Sequence, residues 1–194
     1  MTRRALPNSV LPARSSDPRS KCKTRHVAAR TLVLIRHAKA ADGPVDIDRP
    51  LAPRGIRDAR AIGEWLSEAQ LTPDRVVVSP ARRARQTWEG AAAQLAIAPV
   101  AHVDDRIYDN EVPALLDVVR ETPAQIKTLV LVGHNPSFAD LAYALDDGNP
   151  EPEAIQELLT GFPTSAVAVY DVPSAWDNVS EHGARLTCFA APRG

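Results

Sequence analysis

TLVLIRHAKA, residues 31–40, opens with five β-branched or aliphatic residues and turns polar at Arg36-His37. A solid apolar run of this length suits a strand buried on both faces, as in a parallel sheet covered by helices. The same pattern recurs twice. RVVV (Arg75–Val78) gives way to Ser79-Pro80, and TLVLV (128–132) gives way to Gly133-His134. Between these runs the period changes. Ile56, Ala59, Ala61, Ile62, Trp65 and Leu66 fall near helical spacing and predict an amphipathic helix over 53–69. Ser79 reads as an N-cap and Pro80 as the first residue of a helix running to about Ala96. Asn135-Pro136 repeats that arrangement ahead of a helix ending at Leu145. Residues 112–120 and 154–159 predict further helices, and 100–103, 165–171 and 184–190 further strands. Strands alternating with helices predict an α/β domain of three αβα layers around a mainly parallel sheet.

That domain is expected to span residues 31–194. Residues 1–30 differ in kind: eight Lys/Arg face a single acid, Asp17, among Pro7, Pro12 and Pro18, with no amphipathic period. They read as a disordered basic tail. The remaining 15 basic and 23 acidic residues leave the domain at −8, so nucleic acid is not an expected partner. No run of about 18 apolar residues is present, so no membrane span is expected. Cys22 and Cys188 form no zinc or redox motif and read as two unpaired thiols, which points to the cytoplasm.

The chemistry concentrates where the apolar runs end: Arg36-His37, then Ser79-Pro80-Ala81-Arg82-Arg83, then Gly133-His134-Asn135. In open α/β sheets ligands bind beyond the carboxyl ends of the strands, so residues nearly 100 positions apart can share one crevice. Helix N-termini there favour an anion. Arginine forks take phosphate oxygens pairwise, and imidazole supplies a nucleophilic nitrogen. Phosphoryl chemistry fits that set. His26, His102 and His182 lack metal-ligand spacing, so neither a metal nor a cofactor is expected.

LVLIRHAKA (32–40), SPARRARQT (79–87) and LVLVGHNPS (129–137) resemble, in order, three signatures of the histidine phosphatase superfamily. DRPLAPRG (48–55), DDRIYD (104–109) and FPTSAVAVYD (162–171) are similar to its SixA-type phosphohistidine phosphatases. The resemblance implies a phosphoglycerate mutase-like fold and a metal-independent phosphatase. It makes His37 the nucleophile, Arg36 and Arg83 the phosphate-binding arginines, and His134 a donor to a phosphoryl oxygen. Asp109 becomes the candidate general acid, with Glu111 as the other. Arg82 and Arg85 read as solvated helix residues beside the phosphate-binding arginine. Only 50 residues separate Arg83 from His134, which leaves no room for a large capping insertion. An open pocket suits phosphohistidine on a protein. The alternative is a small phosphate ester handled by a phosphomonoesterase, or by a phosphomutase, with the same site.

Overall fold

The computed structural model describes residues 29–108 and 111–194. Six strands form one sheet: β1 (Arg30–Arg36), β2 (Arg75–Val78), β3 (His102–Val103), β4 (Thr128–Gly133), β5 (Val167–Val172) and β6 (Arg185–Ala190). Their order across the sheet is β3-β2-β4-β1-β5-β6. The first four strands run parallel, while β5 lies antiparallel to β1 and β6 antiparallel to β5. Register sets the outcome that matters for function. Arg36 stands opposite Gly133, and Val78 stands opposite Val132. The three motif-bearing strands therefore end level, on one rim.

Alternating residues of these strands face two separate cores, which is why each run is apolar throughout. Leu32, Leu34, Leu129, Leu131, Ala168 and Tyr170 face one side. Helices α3 (Val112–Arg120), α4 (Ser137–Leu145) and α5 (Pro152–Leu159) cover that side. Val33, Ile35, Val130, Val132, Val167 and Val169 face the other, beneath α1 (Pro53–Glu68) and α2 (Arg82–Ala92). The three-layer αβα arrangement expected from the sequence is the one found. Trp65, Trp88 and Trp176 are core residues, and the Trp176 indole donates to the Ile126 carbonyl at 2.8 Å. No helix among the described residues is long and apolar enough to cross a membrane.

Local signals misled in four places. Helix α2 starts at Arg82, capped by Ala81, and ends at Ala92 rather than near Ala96. Ser79 is no cap, because its hydroxyl is drawn into the site described below. Helix α4 starts after a cis Asn135–Pro136 bond, with Pro136 rather than Asn135 at the cap. Cys188, in β6 with 4% exposure, is disulfide-bonded, which overturns the expected free thiol. Cys22 and residues 1–28 of the expected 1–30 tail lie outside the described residues, while Arg30 already belongs to β1. The cytoplasmic expectation loses the thiol argument on which it stood.

Helices α1 and α2 approach closely through small residues. A Cβ added at Gly63 would sit 2.1 Å from the Ala91 carbonyl oxygen, a backbone atom of α2 that cannot rotate away. Gly63→Ala is therefore expected to lower stability by about 1–3 kcal/mol through overpacking. Denaturant unfolding measures this, and an unchanged midpoint would contradict so tight a crossing.

Candidate active site

His37 follows β1, and the sheet itself extends to hold it: its amide donates to the Gly133 carbonyl at 2.9 Å. The ring is tied by Nδ1, which lies 2.7 Å from the Ala38 carbonyl oxygen. A carbonyl only accepts, so Nδ1 carries the proton and Nε2 keeps the lone pair. Nε2 receives the Nε–H of Arg83 at 3.3 Å. Burial lowers the His37 pKa from 6.5 to about 4, against the Ala38 bond and together with the charges of Arg83, Arg36 and Arg49. At neutral pH the ring is an uncharged imidazole whose unprotonated Nε2 accepts only the Arg83 hydrogen among the described residues.

Four polar positions of the SPARRARQT stretch, Ser79, Arg83, Gln86 and Thr87, hold the site together. The Thr87 hydroxyl donates to the Arg83 carbonyl at 2.7 Å and accepts the Ala38 amide at 3.0 Å, tying α2 to the loop after His37. Gln86 accepts the Leu51 amide at 2.8 Å. Arg83 reaches from the first turn of α2 toward His37. Arg82 and Arg85 are exposed, as expected for solvated neighbours. Ser79 accepts the Ala81 amide at 3.2 Å, and its oxygen lies 2.7 Å from Nε2 of His134.

His134 is 6% exposed, and its ring centroid lies 4.9 Å from that of His37. Burial lowers its pKa to about 3, helped by His37 and Arg83. Its Nδ1 has no partner among the described residues. Arg36 donates to the Phe162 carbonyl at 2.7 Å, and Asn135 donates to the same oxygen at 2.9 Å. No carboxylate among the described residues pairs with Arg36, and burial alone depresses its pKa. An arginine without a counter-ion, beside two neutral imidazoles and a second arginine, forms a pocket suited to an oxyanion.

Comparison with known proteins agrees with this geometry. Residues 32–110 match the model of the histidine phosphatase superfamily (branch 1). An uncharacterised protein of Mycobacterium tuberculosis (strain ATCC 25618 / H37Rv) is 38% identical over 162 residues, covering 82% of this chain and all of the relative. A structure from Nakamurella multipartitia, described provisionally as a phosphohistidine phosphatase SixA, superposes with a TM-score of 0.74 at 34% identity. It covers 84% of this chain and 96% of that one. The chain belongs to branch 1 of the histidine phosphatase superfamily. Phosphohistidine phosphatase SixA of Escherichia coli (strain K12) is 28% identical over 138 residues, covering 70% of this chain and 81% of that protein.

This superfamily member carries three site residues that sequence reasoning passed over: Asp46, Arg49 and Tyr108. The chain after His37 folds back on itself. Ala40 bridges Leu51, and Ala41 and Ala52 donate to the carbonyls of Pro50 and Lys39. The loop between them carries a 3-10 turn, Asp46–Asp48, over the pocket. Tyr108 arrives from the other side, after a second 3-10 turn, Asp105–Ile107, anchored by fully buried Ile107. The Tyr108 hydroxyl donates to Asp46 at 2.9 Å, and its ring meets that of His134 edge-on at 5.6 Å. Asp109, the candidate acid, lies outside the described residues. Glu111 is the exposed N-cap of α3. His102 is exposed, as is His182, whose Nδ1 lies 3.0 Å from the Asp146 carbonyl oxygen.

The two buried imidazoles make a titration prediction. Both pKa values fall below 6.5, so the unfolded chain takes up these protons at a higher pH than the folded protein. Stability falls as pH drops from about 6.5 through about 4. Nuclear magnetic resonance of the ring protons is expected to show His37 uncharged at pH 5.5. A folded-state midpoint near 6.5 would contradict the burial argument.

Proposed function

We propose that this protein is a metal-independent phosphatase that works through a phosphohistidine at His37, with phosphohistidine on a protein as its substrate. The observation that carries the reading is the tautomer of His37. A main-chain carbonyl holds Nδ1–H, so Nε2 is the nucleophile without any base having to remove a proton. Its lone pair forms a bond to phosphorus as the bond from phosphorus to the leaving group breaks. The leaving group departs with the bonding electrons and takes up a proton. Water then attacks phospho-His37, and the P–N bond electrons return to Nε2 as inorganic phosphate leaves.

Phosphoryl transfer spreads negative charge over equatorial oxygens, so catalysis is mostly fixed positive charge and donors. Arg36 and Arg83 supply the charge. His134 supplies a neutral donor: if the Ser79 hydroxyl gives its hydrogen to Nε2, Nδ1 carries the other proton. Two features support a phosphohistidine substrate. The 50 residues between Arg83 and His134 hold the rest of α2 and then β3, α3 and β4, with no capping domain among the described ones. An imidazole leaving group also needs less help from an acid than an alkoxide does. Asp109 remains the proposed acid for ester substrates.

A labelled phospho-donor should give an acid-labile, base-stable phosphoenzyme that is missing in His37→Ala. Full turnover by that variant would end the nucleophile assignment. Arg36→Gln is expected to lower kcat by about 10²–10³-fold, the usual cost of one lost oxyanion partner. Rates on a phosphohistidine peptide, an aryl phosphate and a phosphoglycerate separate the substrate classes. A strong preference for the phosphoglycerate would replace the protein substrate with a small ester.

A further inference from the structure

Arg83 is the least exposed arginine of the pocket, with a side chain only 9% exposed, yet it is not free to bind a substrate. Its Nη1 donates to the Asp46 carbonyl oxygen at 2.6 Å, and its Nη2 donates to Asp46 Oδ2 at 2.9 Å. With Nε directed at His37, all three nitrogens are engaged. The same carboxylate accepts the Tyr108 hydroxyl on Oδ2 at 2.9 Å and Arg49 Nη1 on Oδ1 at 3.0 Å. Two guanidinium groups and a hydroxyl thus converge on one oxyanion, and one of those guanidinium groups also meets His37 Nε2. That is the donor set a phosphoryl group requires.

Asp46 could instead be a permanent anchor for Arg83, but its setting argues otherwise. Its side chain is 52% exposed, and the 3-10 turn that carries it buries no residue. The turn sits at the tip of a loop closed at its base by the Ala40–Leu51 bridge and by Arg49, whose Nε donates to the Ala41 carbonyl at 2.9 Å. Such a tip is cheap to displace, because few apolar contacts hold it. The carboxylate is also firmly ionised: hydrogen bonds from Tyr108 and Arg49 lead in lowering its pKa to about 2.

We propose that the Asp46 carboxylate is a resident occupant of the phosphoryl seat, and that a substrate phosphate binds by exchange with it. As the 46–48 turn withdraws, Arg83 Nη2, Arg49 and the Tyr108 hydroxyl pass from carboxylate to phosphate. The idea rests on the phosphatase reading above and adds a specificity-determining residue to it. A weak or singly charged anion cannot displace a carboxylate that holds three donors, whereas a phosphoryl dianion can. Asp46 therefore sets a threshold for occupancy of the site.

The test measures inorganic phosphate and orthovanadate binding by calorimetry to the wild-type protein, Asp46→Asn and Asp46→Ala, with thermal midpoints confirming folding. Apparent affinity falls by the fraction of molecules whose seat is open, so a seat open about one-tenth of the time predicts about tenfold tighter binding in both variants. Adding Tyr108→Phe to Asp46→Asn should then weaken binding, because the hydroxyl now serves phosphate. Unchanged or weaker binding in both single variants overturns the exchange and makes Asp46 an anchor for Arg83. Binding to none of the folded proteins, wild type included, overturns the phosphatase reading itself.

Discussion

In-register parallel pairing of β1, β2 and β4 is the constraint from which the site follows. Arg36 opposite Gly133 and Val78 opposite Val132 bring three strand ends level, so each chain leaves the sheet at the same rim. The ladder continues one step past β1, with the His37 amide on the Gly133 carbonyl, and beside it the Ser79 amide on the Val132 carbonyl. A slip of one residue in either pairing would turn every side chain on the moved strand to the opposite core. Two fully apolar cores penalise that slip on both faces of the sheet. Catalytic geometry is thus inherited from packing rather than assembled by the loops.

The loops adjust charge and protonation. Among the described residues each polar partner of His37 is main chain or a guanidinium, and no carboxylate touches the ring. The imidazole is oriented without being made more basic, unlike a histidine paired with an acid. Desolvation and the neighbouring arginines then keep both rings neutral. In the proposed reaction the charge that holds a phosphoryl group resides on the guanidinium groups of Arg36 and Arg83. That proposal assigns nucleophilicity and anion binding to separate groups.

How much of this was legible in the sequence depends on range. Strands such as 128–132 announce themselves because a doubly buried strand needs an unbroken apolar run. The motif residues His37, Arg83 and His134 stand at the ends of such runs, where topology brings them together. Ser79 and Asn135 show the limit. Each is a sound helix cap by local rules, but a tertiary partner outbid the helix: the His134 ring for Ser79, and the Phe162 carbonyl for Asn135. Asp46 carries no local signal, and Arg49 and Tyr108 stand inside recognisable stretches that give them no role. Their meeting depends on how two irregular loops fold back over the rim, and neither periodicity nor propensity encodes that. Strand β3 is a lesser case: at the sheet's edge two residues suffice, and His102 and Val103 remain exposed.

The Phe162 carbonyl has one more implication. One oxygen with two lone pairs takes a hydrogen from Arg36 and another from Asn135, so its accepting capacity is full. Because the acceptor belongs to the main chain, no side-chain replacement at that position can delete it. The approach to β5, which contributes no reactive group, works as a gauge block for the arginine. Its influence is carried by position alone, so a shift in the path of residues 160–164 would reach the guanidinium while leaving every side chain of the pocket in place.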